Sequence, residues 1–105
     1  MYLARFSYDV LPANRQRAID LIRREVQAAR RDGRNGRLLV PLTRGQGGAA
    51  LQFEVELGNL DQLERVRHSG GDQGEDAASL MQAFSEILVA PPGVEILRVD
   101  EVTAP

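Results

Sequence analysis

The reading of the fold turns on residues 37–57, RLLVPLTRGQGGAALQFEVEL. Its second half alternates without a break, Leu51, Phe53, Val55 and Leu57 against Gln52, Glu54 and Glu56. That period of two belongs to a β-strand with one face in a core and the other outside it. The first half, Arg37 to Arg44, sets Leu38, Val40 and Leu42 against Leu39 and Pro41 and reads as a second strand, apolar on both faces. Pro41 has no N–H to give to a ladder, which sends this strand to a sheet edge. The glycines of GQGG at 45–48 supply the turn, so a hairpin occupies the middle of the chain.

Outward from the hairpin, the chain is nearly symmetrical. On the N-terminal side Tyr2 to Val10 alternates as a strand, with Tyr2, Ala4, Phe6 and Tyr8 on one face and Leu3, Arg5, Ser7 and Asp9 on the other. Pro12 suits the first turn of a helix, and Ala18, Ile19, Ile22, Val26 and Ala29 recur at helical spacing until Gly33 and Gly36. On the C-terminal side Asn59 and Gln62 have the spacing of a capping box for a short helix with Leu60, Leu63 and Val66 as its apolar stripe. SGGDQG at 69–74 interrupts it. Ala77, Leu80, Met81, Phe84, Ile87 and Leu88 mark a second amphipathic stretch, Pro91-Pro92-Gly93 stops it, and Val94 to Val102 is the last strand. The order is βαββαβ with the second helix broken in two. Two helical crossovers around a hairpin predict an α+β, ferredoxin-like domain: a four-stranded antiparallel sheet with both helices on one face and the other face bare.

A chain of 105 residues fits one such domain, spanning 1–105, with no internal repeat or linker. Hydrophobic residues at 43% against charged residues at 27% are a globular balance. No apolar run reaches the roughly 20 residues of a spanning helix, and MYLARFSYDV has no basic segment followed by an apolar core. These features predict a cytoplasmic protein without membrane contact. The absence of cysteine excludes disulfides, thiolate metal sites and cysteine nucleophiles. All 13 Lys+Arg residues are arginine, which excludes a lysine Schiff base and, with the high alanine and glycine content, suggests a GC-rich bacterial gene.

Nucleic acid is not an expected partner. The net charge is −2, and the third strand, ALQFEVEL, has one aromatic residue and carboxylates where RNA-binding sheets of this topology carry basic and aromatic groups. Arg30, Arg31, Arg34 and Arg37 form a local basic cluster, for which a helix C-terminus is sufficient cause. GQGG lies between strands with no following helix, unlike a phosphate loop. One histidine and no cysteine leave no expected metal site, and no nucleotide-cofactor fingerprint is present.

The bare face holds the candidate chemistry. Strand three leaves Gln52, Glu54 and Glu56 there, and Arg5 and Arg98 come from neighbouring strands. If they share the face, an arginine binds a carboxylate or enolate while Glu54 serves as base; the alternative is a cross-strand ion pair. If strand one presents its other face, Tyr2, Phe6 and Tyr8 line the cavity instead, and the Tyr8 hydroxyl is a donor to a phenolic substrate. The face of strand one stays open at this point. His68, the one histidine, is an acid/base candidate, or else an exposed residue at a helix end. Covering a face that is part apolar and part charged with a second copy would leave a polar-lined cavity.

RRDGRNGRLLVPLTRGQGGAALQFEVELGNLDQL at 30–63 resembles the middle of muconolactone isomerase-type proteins, and LERVRHSG at 63–70 is similar to aromatic polyketide cyclases. Both belong to the dimeric α/β barrels, small ferredoxin-like chains whose sheets pack face to face, among which are also antibiotic-biosynthesis monooxygenases. The resemblance implies a homodimer with a pocket in each subunit. It further implies a cofactor-free cyclase, isomerase or monooxygenase acting on an aromatic or polyketide-like small molecule. His68 and Glu54 would then be catalytic, with Arg5, Tyr8, Gln52 and Arg98 binding substrate. The alternative is a non-catalytic module that binds a metabolite or a partner chain.

Overall fold

A computed structural model describes residues 1–43, 50–63 and 75–102, the side chains of 75–78 excepted. The alternating stretches are strands β1 (Tyr2–Tyr8), β2 (Gly36–Leu39), β3 (Leu51–Leu57) and β4 (Gly93–Arg98), and the amphipathic ones are helices α1 (Arg15–Arg31) and α2 (Glu75–Ile87). The four strands form one sheet in the order β2-β3-β1-β4, antiparallel throughout. β1 and β2 flank β3, and β3 and β4 flank β1, so each helix joins two parallel strands with a third between them. This is the predicted ferredoxin-like topology.

Local chemistry accounts for the boundaries. Pro12 opens a 3₁₀ turn, Pro12–Asn14, that runs directly into α1. At the other end Gly33 takes a positive φ of 76°; its N–H reaches the Arg30 carbonyl at 3.0 Å and the Arg34 N–H reaches that of Ala29 at 2.9 Å. Together these bonds satisfy carbonyls that the helix would otherwise leave open. Gly36 is needed for another reason. A Cβ there would stand 3.1 Å from the Ala29 Cβ and 3.3 Å from the Phe53 ring, so its absence lets α1 close on the sheet. The Asn59 side chain caps the Gln62 N–H at 3.2 Å, and the Gln62 side chain returns to the Gly58 N–H at 2.9 Å.

Three strands end before their sequence pattern does, β1 at Tyr8 rather than Val10 among them. β2 ends at Leu39 rather than Arg44, since Pro41 cannot donate to β3, and β4 ends at Arg98 rather than Val102. β2 and β4 are the edge strands, as Pro41 indicated for β2. The 45–48 turn, the end of the short helix with Val66, the 69–74 stretch and His68 lie outside the described residues.

The core fills the helical side. Ala4 and Tyr8 of β1 and Leu51, Phe53, Val55 and Leu57 of β3 meet Ala18, Ile19, Ile22, Val26 and Ala29 of α1 and Leu80, Phe84 and Ile87 of α2, all buried. Phe6 stacks on Phe53 with centroids 5.8 Å apart. The face of strand one is thereby decided: Tyr2, Ala4, Phe6 and Tyr8 point to the helices, and Leu3, Arg5 and Ser7 stand on the bare face.

Candidate functional site

Register places the charges of the bare face in one line. Arg5 of β1 is paired with Glu54 of β3 on one side and Glu95 of β4 on the other, and Glu54 is paired with Arg37 of β2. Across the sheet the row reads Glu95, Arg5, Glu54, Arg37. The Arg5 Nε and Nη2 donate to Glu54 Oε2 at 2.9 and 2.8 Å. The Arg37 Nε donates to the other oxygen, Oε1, at 3.0 Å, and the Arg37 Nη2 closes on the same atom.

Glu54 is 1% exposed although it lies on the bare face, because the two guanidiniums cover it. Burial raises its pKa, but the hydrogen bonds and charges of Arg37 and Arg5 outweigh that and hold it below the usual carboxylate range. A carboxylate so held is a weak proton acceptor. With Glu95 at the far edge the row as a whole balances in charge, and Arg37, about half exposed, is the cation at its open end. In the next row Gln52 donates its amide to the Ser7 hydroxyl at 3.2 Å, and Leu39 and Gly93 complete that level at the two edges. Leu3 and Leu97, themselves paired, supply apolar surface beside the charges.

Of the residues chosen from sequence, the structure brings together Arg5, Glu54 and Gln52. Arg98 does not join them. It pairs with Tyr2, whose parity is that of the helical side, so it lies on the opposite face from Arg5, exposed at the end of edge strand β4. Tyr8 is a second correction: it stands among the core residues, not on the bare face. Its hydroxyl donates to Glu25 at 3.1 Å (Oε1) and 3.3 Å (Oε2), and its ring stacks on Phe84 with centroids 4.8 Å apart. Burial pushes the Glu25 carboxyl up to about 8, with the Tyr8 bond pulling the other way. Burial, then the Glu25 charge and hydrogen bond, push the Tyr8 phenol well above its ordinary value.

Two residues were missed. Arg37 was read as part of a helix-end cluster, yet as the second residue of β2 it has the parity of Leu39 and so belongs to the bare face. Within that cluster Arg34 pairs instead with Asp32 at 2.9 Å. Glu25 was visible in principle: it sits three residues after Ile22 and four before Ala29, inside the apolar stripe, where a carboxylate demands a partner. Tyr8 is that partner.

A small cleft of about 180 Å³ lies at the end of the sheet, lined by Val10, Pro12, Arg15, Pro41 and Ala50. Among the described residues no three His, Cys, Asp or Glu side chains are grouped to hold a metal, and no helix is long and apolar enough to cross a membrane.

No family profile and no curated protein matches the chain. Solved structures do. Rv0793 from Mycobacterium tuberculosis is similar at a TM-score of 0.71 and 16% identity, over 98% of this chain and 100% of that one. An antibiotic biosynthesis monooxygenase is similar at 0.69 and 14%, over 96% and 100%. An uncharacterized NIPSNAP domain protein from Burkholderia xenovorans is similar at 0.71 and 9%, over 100% and 99%. At these identities the likeness lies in the backbone and extends over essentially the whole length of each chain. The chain thus has the ferredoxin-like α+β fold that these structures share.

Proposed function

We propose that the chain is a cytoplasmic small-metabolite enzyme, a cofactor-free cyclase, isomerase or monooxygenase for an aromatic or polyketide-like substrate, working in a pocket formed when the bare sheet face is covered by a second copy. The observation that carries this reading is the Arg5–Glu54–Arg37 arrangement, two guanidiniums held in place on a buried carboxylate within a partly apolar face. Guanidiniums fixed by a buried carboxylate lose little freedom on meeting a phenolate or enolate, so they favour negative charge as it develops on substrate oxygen. Glu54, with its lowered pKa, orients the arginines and does not itself take the proton. Proton transfer falls to His68, and Gln52 with Ser7 offers a donor and acceptor to a substrate carbonyl or hydroxyl. The monooxygenase among the similar structures supports the choice of small-molecule chemistry through its shared fold.

A non-catalytic metabolite-binding module is the second reading, favoured by the same weak basicity of Glu54. Aromatic acids and phenols titrated into isotopically labelled protein test both. Ligands of this class should shift the Arg5 and Gln52 signals, and Arg37→Gln should weaken their binding by about tenfold, the worth of one charge-assisted hydrogen bond. His68→Ala that abolishes turnover and spares binding supports the enzyme; binding with no turnover in the unaltered protein supports the module. If no such compound disturbs the bare face, the pocket reading is wrong.

A further inference from the structure

The sheet contains two glycines, and the chain's own fold accounts for one of them. Gly36 lets α1 close on β2 and β3. Gly93 begins β4 opposite Ser7 without a positive φ, and a Cβ there would meet only the Ser7 Cβ at 3.6 Å, an ordinary contact. Neither backbone conformation nor packing requires glycine at 93. In a strand, the remaining reason is close approach by something outside the fold.

The levels of the bare face show what an approaching molecule meets. β4, β1 and β3 share three of them: Leu97, Leu3 and Glu56; Glu95, Arg5 and Glu54; Gly93, Ser7 and Gln52. Only the last lacks a side chain on β4, and its member on β1 is the short Ser7. The resulting hollow lies about 7 Å along the strands from the Arg5 level, with Gln52 about 4.8 Å to one side of Ser7, a footprint for one planar ring. Its polar rim is selective. Arg5 grips Glu54 with Nε and Nη2, which turns Nη1 away from that carboxylate. Across the β1–β4 pair stands Glu95, exposed and with no hydrogen-bond or ion-pair partner among the described residues. A donor beside an acceptor matches a hydroxyl, which accepts from one and donates to the other, whereas a carboxylate would meet the Glu95 charge. At the hollow itself the Gln52 amide donates to Ser7 Oγ, so the hydrogen of the Ser7 hydroxyl is directed elsewhere and can be given to a ligand oxygen.

Resting on the reading of the bare face as a pocket floor, we infer that the substrate is a hydroxyaryl ketone bound as the neutral phenol, its ring over Gly93, its hydroxyl between Arg5 and Glu95, and its carbonyl accepting from Ser7. The separation of Arg5 and Ser7, two residues of one strand, is of the order spanned by para substituents on one ring. Glu95 is thereby a specificity-determining residue that selects a hydroxyl over a carboxylate, and Gly93 is what admits the ring.

The probes are 4-hydroxyacetophenone, acetophenone and benzoate, titrated into isotopically labelled protein. 4-Hydroxyacetophenone should shift the Ser7, Gly93 and Glu95 signals and bind about tenfold more tightly than acetophenone, the worth of a hydrogen bond to a charged group. Glu95→Ala should erase that preference and at the same time strengthen benzoate binding, an opposite pair of effects that a merely structural role would not produce. Gly93→Val should weaken both ketones about tenfold by filling the hollow. Both positions lie on an exposed edge strand, and unchanged spectra away from β4 verify the fold of each variant. A preference retained in Glu95→Ala, or affinities retained in Gly93→Val, would overturn the inference. Ligands that shift Arg5 and Gln52 without shifting Ser7 and Gly93 would overturn it too, while leaving the pocket reading intact. If none of the three disturbs the bare face, the pocket reading fails and the inference fails with it.

Discussion

Glu25→Gln is the substitution whose consequence the structure specifies most fully. The Glu25 side chain is 4% exposed, Tyr8 is its hydrogen-bond partner, and burial pushes its pKa from 4.5 up to about 8. Between those two values the folded chain keeps a proton that the unfolded chain has released. Each pH unit in the window therefore lowers stability by about 1.4 kcal/mol. The contribution is fully present below pH 4.5 and is lost by about pH 8, a total of about 5 kcal/mol over the window. Against a domain stability of roughly 5–15 kcal/mol this is a large share. Glutamine has the same shape, its amide oxygen accepts the Tyr8 O–H, and it does not titrate. Its amide N–H groups bring a constant cost of about 1–3 kcal/mol if they find no acceptor, so the diagnostic is the slope with pH and not the offset. Urea denaturation at pH 5, 6, 7 and 8 should show the unaltered chain losing stability with rising pH and Glu25→Gln losing much less. Parallel pH profiles for the two chains would refute the assignment of this linkage to Glu25.

Tyr8→Phe keeps the stack on Phe84 and removes the hydroxyl that donates to Glu25, so it should cost about 1–3 kcal/mol by urea denaturation and raise the Glu25 pKa further. Glu54→Gln should act at the other end of the pH scale. The unaltered chain loses the stabilising contribution of Glu54 as pH falls through its lowered pKa, and the variant should lack that acid limb in a thermal melt series from pH 5 to pH 2. Gly36→Ala presses a methyl group against Ala29 and Phe53 and should lower stability by about 1–3 kcal/mol, measured by the same denaturation at constant pH.

The four strands, the long helix and the helix over Glu75–Ile87 were legible because each rests on a local period. Alternation over Leu51 to Leu57 and the stripe from Ala18 to Ala29 need no knowledge of what lies opposite. Their ends were less legible. Pro41 was noticed and correctly assigned to an edge, but that it would stop pairing after Leu39 depended on β3 being the sole neighbour of β2. Arg5, Glu54 and Gln52 were placed on a common face once β1 took the orientation that buries Ala4 and Tyr8. Arg98 was one residue out of phase, and in a strand one residue is enough to change faces.

What the sequence determined alone is therefore the order of elements and the side each alternating residue takes within its own strand. Which strands become neighbours, and in what register, is a property of distant segments meeting. Only that meeting sets Arg5 and Arg37 on the two oxygens of Glu54, or brings Tyr8 to Glu25 across the core. The physical reason is that periodicity is written within a segment, whereas a charge row or a buried acid–phenol pair is made from side chains tens of residues apart, whose spacing is fixed by the packing of the whole domain.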